Sequence, residues 1–412
     1  MENVTLRDRE ILRETAMRKA QLAHDRRNDE ILAMWHKQAM GVRDTPTVRL
    51  LFSNFTNEVL EPRMRCEGKD ARRLERHLLS YMVGRELFDD DTPVSDTYDV
   101  RLFSKVSPFG ARPKKTKAQG SIGFHIEPLT DDLEADIDLF RNGGFSVDEA
   151  GTKEWCAWAD GIIGDILPSR IVQGSLTGAI TNPLVHLASM ETYYMAMYDS
   201  PEALHEIMEM ATSVYERYYD HLEKNRLLYP TNGFSPVAQE SFAFTDELPS
   251  VGEITSTKQL WGFLESQETT AVSPEMYGEF VYPYQDRLVK RFGLLSYGCC
   301  ERVDAIWPDY LSKWENLRKL SVSPFNNEAR VGEYLRGTRV VYYSKPRAEY
   351  VTNPGPLDEE AIRKYFKGVC ECASGCLFEM AQREVGTIFG DYERGRRYVQ
   401  LARESIEAYW QP

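Results

Sequence analysis

Apolar residues recur along this chain with two periods, and from about residue 131 the two alternate regularly. Short apolar runs rich in β-branched and aromatic residues are typical of buried strands, whereas apolar positions three and four residues apart indicate helices. The predicted strands are 47–53, 97–106, 170–175, 261–266, 293–298, 318–323, 338–344 and 376–382. The predicted helices are 71–85, 131–142, 149–164, 188–198, 201–226, 273–291, 304–314, 327–335, 358–372 and 392–409.

This alternation of strands and helices predicts a parallel sheet of the α/β class. The number of strands favours a single closed (β/α)8 TIM barrel over an open, doubly wound sheet. Residues 6–39 combine charge with apolar residues at helical spacing, so we expect an N-terminal helical extension over 1–45. The barrel would occupy 46–412, with an inserted loop near 105–130 that is rich in Pro, Gly and Lys.

Composition and charge exclude several classes of function. The chain has 412 residues and 42% hydrophobic residues, and 50 Lys plus Arg against 64 Asp plus Glu give a formal charge of -14. A negative field repels phosphate backbones, so nucleic-acid binding is not expected. No apolar run or N-terminal segment suggests a membrane span or a signal peptide, and we expect a cytoplasmic protein. The seven cysteines are scattered and odd in number, which favours reduced thiols.

The segment Tyr297-Gly298-Cys299-Cys300-Glu301 is the strongest chemical signal in the chain. Its first two residues end the predicted strand 293–298, and the other three follow that strand. In a barrel of parallel strands, the active site lies at the carboxyl ends of the strands. Thiolate sulfur and carboxylate oxygen are also zinc ligands, so Cys299 and Glu301 are candidate ligands of a zinc ion.

Polar residues at other strand ends are further candidates. Gln267 and Glu268 follow one strand, Ser323 and Lys345 end two later strands, and Glu384 follows the last. Glu268, Lys345 and Glu384 are candidate catalytic groups, acting as acids, bases or anchors for a charged substrate. Substrate contacts are expected from Gln267, Tyr297, Ser323 and from Asn182, which follows the strand 170–175. For each strand-end residue the competing interpretation is a cap, a turn or a salt bridge at the rim.

Several segments resemble the uroporphyrinogen decarboxylase-like superfamily, well over residues 165–410 and weakly before that. The segments are 198–205, Glu265-Ser266-Gln267-Glu268, 272–276 with Phe280 and Tyr284, Tyr297-Gly298-Cys299-Cys300-Glu301, and 316–324. The resemblance implies a single (β/α)8 barrel and is greatest to members with a Tyr-Gly-Cys-Cys-Glu motif. The Arg-rich substrate motif of the true decarboxylases is missing after the first strand, where residues 53–66 differ.

The resemblance to the methyltransferase branch implies a specific chemistry. That branch holds zinc with a His-x-Cys motif and a later Cys. Cys299 aligns with the first Cys, Tyr297 stands where the His would be, and Glu301 could supply an oxygen. Cys376 is a candidate for the later Cys, although it begins the last strand and so would lie at the opposite end of the barrel. The implied reaction moves a methyl group from a small O-, N- or S-methylated substrate to a corrinoid protein or related acceptor.

No corrinoid-binding signature is found in this chain, so the corrinoid would be carried by a separate partner protein; a homodimer is also considered. Two other functions remain open. A metal-independent decarboxylase or lyase would use Lys345 and an arginine to bind a carboxylate, while an acid protonates the carbanion. A non-catalytic binding barrel is the third hypothesis, because residues 383–387 lack the His that relatives often carry near the last strand.

Overall fold

The computed structural model describes residues 1–117 and 124–412. The strands are β1 (Thr47–Leu50), β2 (Tyr98–Arg101), β3 (Phe103–Ser107), β4 (Lys114–Lys117), β5 (Phe124–Glu127), β6 (Gly144–Asp148), β7 (Ser169–Val172), β8 (Leu176–Thr177), β9 (Gly233–Ala238), β10 (Ser241–Ala243), β11 (Trp261–Leu264), β12 (Leu294–Tyr297), β13 (Leu317–Val322), β14 (Val341–Ser344) and β15 (Leu377–Gln382).

The helices that precede β7 are α1 (Leu6–Ala23), α2 (Arg26–Ala39), α3 (Thr56–Leu60), α4 (Lys69–Ser80) and α5 (Glu149–Ile163). Those that follow are α6 (Thr181–Ala188), α7 (Met190–Asp199), α8 (Pro201–Lys224), α9 (Pro274–Phe280), α10 (Tyr282–Val289), α11 (Val303–Ile306), α12 (Glu328–Leu335), α13 (Glu349–Thr352), α14 (Glu359–Cys372) and α15 (Tyr392–Tyr409). Among the described residues, no helix is both long and apolar enough to span a bilayer.

A parallel sheet organises the chain, as the alternation of strands and helices predicts. In the described residues seven strands pair in the order β1-β15-β14-β13-β12-β11-β8. β2 pairs in parallel with β7, and β7 leads directly into β8, so β2 extends the same series of strands. The mixed α/β class with parallel pairing is therefore confirmed.

The outer edge of β1 is covered by carboxylates in place of a strand. The amide of Val48 donates to Oδ2 of Asp91 at 2.8 Å, and the amide of Leu50 donates to Oδ2 of Asp90 at 3.1 Å. The carbonyl oxygen of Val48 accepts from the amide of Asp91 at 2.9 Å. These bonds satisfy backbone groups that would otherwise be unpaired in a buried edge. Within the described residues, no strand ladder joins β1 to β2.

An antiparallel hairpin, β9 and β10, packs against the side chains of the parallel sheet. Its tip is Gln239-Glu240, and its residues contact β1, β11, β12, β13, β14 and β15. Lys319 of β13 is buried and donates to Oε2 of Glu379 at 2.8 Å and to Oγ of Ser241 at 2.7 Å. Because strands from across the sheet contact it, the hairpin fills space that sheet side chains would otherwise occupy.

The N-terminal helices pack on the same assembly. Trp35 of α2 meets Phe242 of β10 edge to face, with ring centroids 5.7 Å apart. The side-chain Nε2 of Gln38 donates to the carbonyl oxygen of Phe378, near the start of β15, at 3.0 Å. The predicted amphipathic helices over 6–39 are confirmed as α1 and α2, and α2 lies at the amino ends of the strands.

Several predicted helices differ from the structure. The helix expected over 131–142 is only a short 3-10 turn, Ile137–Phe140, followed by β6, because a side chain at Gly143 would come within 1.9 Å of the Pro108 carbonyl. The helix over 273–291 is divided into α9 and α10 near Val281, and Pro283 lies in the first turn of α10. The 304–314 helix shortens to α11 and a 3-10 turn. Helix α6 and the β9–β10 hairpin were not predicted.

The segment near 105–130 is built from antiparallel pairs. β3 pairs with β6, and β4 pairs with β5. Antiparallel pairing thus occurs in the described part of the segment where an inserted loop is predicted, and residues 118–123 lie outside the described residues.

Candidate active site

Parallel pairing brings the carboxyl ends of neighbouring strands to one edge of the sheet. β11 is followed by Glu265–Glu268, β12 by residues 298–301, β13 by Ser323, β14 by Lys345 and β15 by Arg383 and Glu384. The predicted polar residues of these strand ends therefore share one edge, as the argument from strand polarity requires.

Gly298 makes the turn that follows β12. Its φ of +100° lies in the region that favours glycine, and an added Cβ would come within 3.2 Å of Cβ of Ser321. The next three carbonyl groups are each held by a side chain from β13 or the loop after it. The bonds run from Ser321 to Cys299 at 3.1 Å, from Ser323 to Cys300 at 3.2 Å, and from Asn326 to Glu301 at 3.2 Å. This loop is thus anchored at every residue.

The two thiols occupy the centre of this edge. Sγ of Cys299 lies 3.3 Å from Oε1 of Gln267 and 3.8 Å from Sγ of Cys300. Sγ of Cys300 is 3.8 Å from Oε1 of Glu384. Hydrogen bonding from the Cys300 thiol, reinforced by the charge of Lys345, lowers the pKa of Cys299 to about 5 in spite of burial. The same contact and burial raise the pKa of Cys300, so Cys299 is the thiolate of the pair.

Lys345 contacts the cysteine loop and the hairpin together. Its Nζ donates to the side-chain oxygen of Gln239 and lies 3.5 Å from the carbonyl oxygen of Cys299. Burial lowers the pKa of Lys345, and the neighbouring Cys299 opposes that shift. The tip of the β9–β10 hairpin therefore forms part of the site, a contribution that the sequence-based prediction missed.

Glu301 supports the cysteine loop through both of its carboxylate oxygens. Oε1 accepts from the amide of Ser266 at 2.8 Å, and Oε2 accepts from the amide of Cys299 at 2.6 Å. Burial, together with the charge of Cys299, raises the pKa of Glu301 to about 7. Burial and the nearby Glu268 also raise the pKa of Glu265 well above its ordinary value. The site thus contains a carboxyl group, Glu265, whose charged form is disfavoured by burial and by neighbouring carboxylates.

The side chains of Glu268 and Asn182 are in direct contact. The Glu268 carboxylate accepts from Oγ1 of Thr181 at 2.7 Å and from Nδ2 of Asn182 at 2.8 Å. The hydroxyl of Tyr194 donates to the carbonyl oxygen of Glu268 at 2.7 Å. These contacts join the start of α6 to the loop after β11.

Tyr297 points away from the thiols into a buried hydrogen-bond network. Its hydroxyl lies 2.8 Å from Oγ of Ser266, 3.1 Å from the hydroxyl of Tyr277 and 3.2 Å from Oε1 of Gln285. Only 1% of Tyr297 is exposed. In this arrangement Tyr297 joins β12 to α9 and α10, and its predicted contact with substrate stays a prediction.

A cavity of about 190 Å³ opens beside the thiols. Its polar lining comes from Cys300, Ser323, Lys345, Arg383 and Glu384, and Phe325 contributes an aromatic ring. Three of the predicted residues, Ser323, Lys345 and Glu384, therefore meet at one cavity. Arg383 was not predicted; the signal that could have found it is its position directly after the last strand.

The candidate zinc ligands Cys299, Glu301 and Cys376 do not converge on one position. Within residues 1–117 and 124–412, no three His, Cys, Asp or Glu side chains converge to hold one ion. Glu301 directs both oxygens to backbone amides, and Cys376 precedes β15, where its thiol contacts the carbonyl oxygen of Gly332 at 3.4 Å. As arranged, these residues do not fit the tetrahedral zinc site that the resemblance implies. The zinc ligands stay a prediction.

Comparisons with known proteins give a likeness in structure alone. No protein-family model matches the sequence, and no curated protein matches it. A solved structure, a methyltransferase from Methanosarcina mazei, is similar with a TM-score of 0.52 at 14% sequence identity. The similarity covers 92% of this chain and 99% of that one. At such low identity the likeness concerns the fold.

Proposed function

We propose that this protein is a methyltransferase with a (β/α)8 barrel of the uroporphyrinogen decarboxylase-like type. It would take a methyl group from a small O-, N- or S-methylated substrate and pass it to a corrinoid protein or a related acceptor. The fold that it shares with a methyltransferase supports this reaction class. The observation that carries the proposal is the buried thiol of Cys299 at the strand ends, 3.8 Å from Cys300, which lines a small cavity.

Methyl transfer places simple demands on the site. The donor, the methyl carbon and the acceptor must lie in line, and water must be kept out. The anchored loop of residues 298–301 supplies a fixed position, and Cys299 is only 8% exposed. A thiolate is a strong nucleophile toward saturated carbon. Cys299 is therefore the residue that we expect to contact the transferring methyl group, with Gln267 orienting its sulfur.

The neighbouring groups would set the charge of the Cys299 sulfur and protonate the group that leaves the methyl donor. The Cys300 thiol and the Lys345 ammonium favour the charged form of Cys299. Glu265 directly follows β11, burial raises its pKa, and in its protonated form it would give a proton to a departing oxygen or nitrogen. Glu384 flanks the cavity on the side of Cys300.

The test is a methyl-transfer assay with purified protein. Labelled methylamines, methoxyaromatic compounds and methyl sulfides serve as donors, and free reduced cobalamin serves as acceptor. We expect methylcobalamin from at least one donor class, and loss of the product in Cys299→Ser. Cys372→Ser is the matched control, since Cys372 is a half-buried thiol on α14. Equal rates in Cys299→Ser and wild type would remove Cys299 from the reaction.

A second candidate is a metal-independent decarboxylase or lyase. The observation in its favour is the buried carboxyl of Glu265 directly after β11, because burial raises its pKa and a carboxyl with a raised pKa can protonate a carbanion. Release of carbon dioxide from small carboxylic acids, with no methyl product, would select this reaction over methyl transfer. Glu265→Gln should then abolish turnover without preventing binding.

A further inference from the structure

Arg383 carries a charge for which the described residues provide no partner. It follows the last residue of β15, and its Nε and Nη1 atoms are buried without any hydrogen bond to a described residue. It also forms no ion pair with any carboxylate that the structure describes. Buried guanidinium groups are almost always paired, because an unsatisfied charged donor is costly.

The other cations of the same cavity are satisfied. Lys345 donates to the side chain of Gln239, and Arg347 lies 3.5 Å from a carboxylate oxygen of Glu349. Glu384 is the carboxylate next to Arg383 in sequence, but its φ of +61° turns the chain, and its side chain lies 3.8 Å from Cys300. The unpaired donors are therefore specific to Arg383.

Arg383 also acts on the reacting groups. Its charge lowers the pKa of both Cys299 and Lys345, which requires the guanidinium to lie near both. Arg383 and Lys345 line one cavity with the hydroxyl of Ser323 and the ring of Phe325. The cavity is therefore lined by three cationic side chains, Lys345, Arg347 and Arg383, by the carboxylates of Glu349 and Glu384, and by a hydroxyl and an apolar surface next to Cys300.

We propose that Arg383 is the anchor for an anionic group on the substrate, so that the protein acts on a small methylated carboxylic acid. The anion would bind to the guanidinium group of Arg383, which lines the cavity and matches carboxylate oxygens in charge and geometry. The cavity of about 190 Å³ equals the liquid volume of roughly six water molecules, which limits the substrate to a short chain. This inference rests on the proposed methyl transfer for the identity of the rest of the substrate.

The test is direct binding of two matched probes, methylthioacetate and its neutral amide, measured by calorimetry. Wild type should bind the acid at least tenfold more tightly than the amide. Arg383→Met should lower affinity for the acid by roughly tenfold to a hundredfold, the range of a lost charged hydrogen bond, and leave the amide unchanged. Arg383→Lys keeps the charge and should recover part of the loss. Arg330→Met, on the exposed surface of α12, should bind as wild type does.

A second measurement separates a binding role from a structural one. Without ligand, Arg383→Met should unfold at a higher temperature than wild type, because it removes buried donors that have no partner. A lower unfolding temperature would mean that Arg383 supports the fold, and it would overturn the inference. Equal affinity of wild type for acid and amide, or no binding of the acid, would also overturn it.

These outcomes are distinct from failure of the proposed reaction. Preferential binding of the acid without methyl transfer from any donor would support the anionic subsite and reject methyl transfer. Transfer from neutral donors at rates that do not depend on Arg383 would retain the methyltransferase and reject the subsite.

Discussion

The charge state of Cys299 gives the sharpest prediction. The pKa of Cys299 is about 5, and pH 7 lies two units above that value, so about 99% of the Cys299 side chains would be thiolate at pH 7. An ordinary thiol with a pKa of 9.0 would be about 1% thiolate at the same pH. The difference is roughly a hundredfold in the reactive form, which is large enough to measure directly.

Cys300→Ala tests the main cause of this shift. A hydrogen bond to a charged acceptor contributes about 1.5–3 kcal/mol, which corresponds to roughly one to two pH units. Without the Cys300 thiol, the pKa of Cys299 should therefore rise to between about 6 and 7. Lys345→Met should also raise this pKa, because it removes the cation that stabilises the thiolate.

The assay is a pH titration of thiolate absorbance in the ultraviolet. For each protein, the curve of the same protein with Cys299→Ser is subtracted, so that only Cys299 contributes. Cys372→Ala is the control and should leave the midpoint unchanged. A wild-type midpoint near that of an ordinary thiol, or one that Cys300→Ala does not move, would refute the proposed electrostatics of the site.

Three further predictions concern stability, measured by urea unfolding. Lys319→Met leaves the buried Glu379 without its cation and should lower the free energy of unfolding by about 3–5 kcal/mol. Adding Glu379→Gln to this variant should restore much of the lost stability. A loss below about 1 kcal/mol in Lys319→Met would contradict the pairing. Burial raises the pKa of Glu328 to about 7, so the folded protein favours the protonated carboxyl. The contribution of this proton to stability is therefore complete below pH 4.5 and is lost as the pH rises through 7. Glu328→Gln should thus stabilise the protein by about 1–3 kcal/mol above pH 7 and change little below pH 4.5, and an equal effect at both pH values would contradict this. Gly262→Ala would bring a Cβ within 2.1 Å of the Phe292 ring and should lower the free energy of unfolding by about 1–3 kcal/mol. An unchanged midpoint of urea unfolding would show that the ring moves freely.

The parts of the fold that the sequence predicted well are those with strong local periodicity. The strands β11 to β15 and helices such as α8, α14 and α15 have clear apolar patterns, and they lie within a few residues of their predicted bounds. Asp358 and Asp391 cap α14 and α15. The broken helix 273–291 and the missing helix 131–142 arise from proline and from glycine at a close contact, which override helical periodicity.

The candidate site was predicted in part for the same reason. Strand polarity alone brings Gln267, Cys299, Ser323, Lys345 and Glu384 to one edge, since parallel strands end together. Strand polarity cannot say which way each side chain points. Tyr297 therefore lies in a buried hydroxyl network, away from the cavity that its neighbours share.

The amino-acid sequence by itself determined the α/β class, the succession of parallel strands and the edge at which polar residues gather, because those depend on local periodicity and chain direction. Only the tertiary structure decided that a hairpin from the connection between α8 and β11 supplies Gln239, that Glu301 binds backbone amides, and that Arg383 has no partner among the described residues. Those features depend on contacts between residues far apart in sequence, and no local pattern records them.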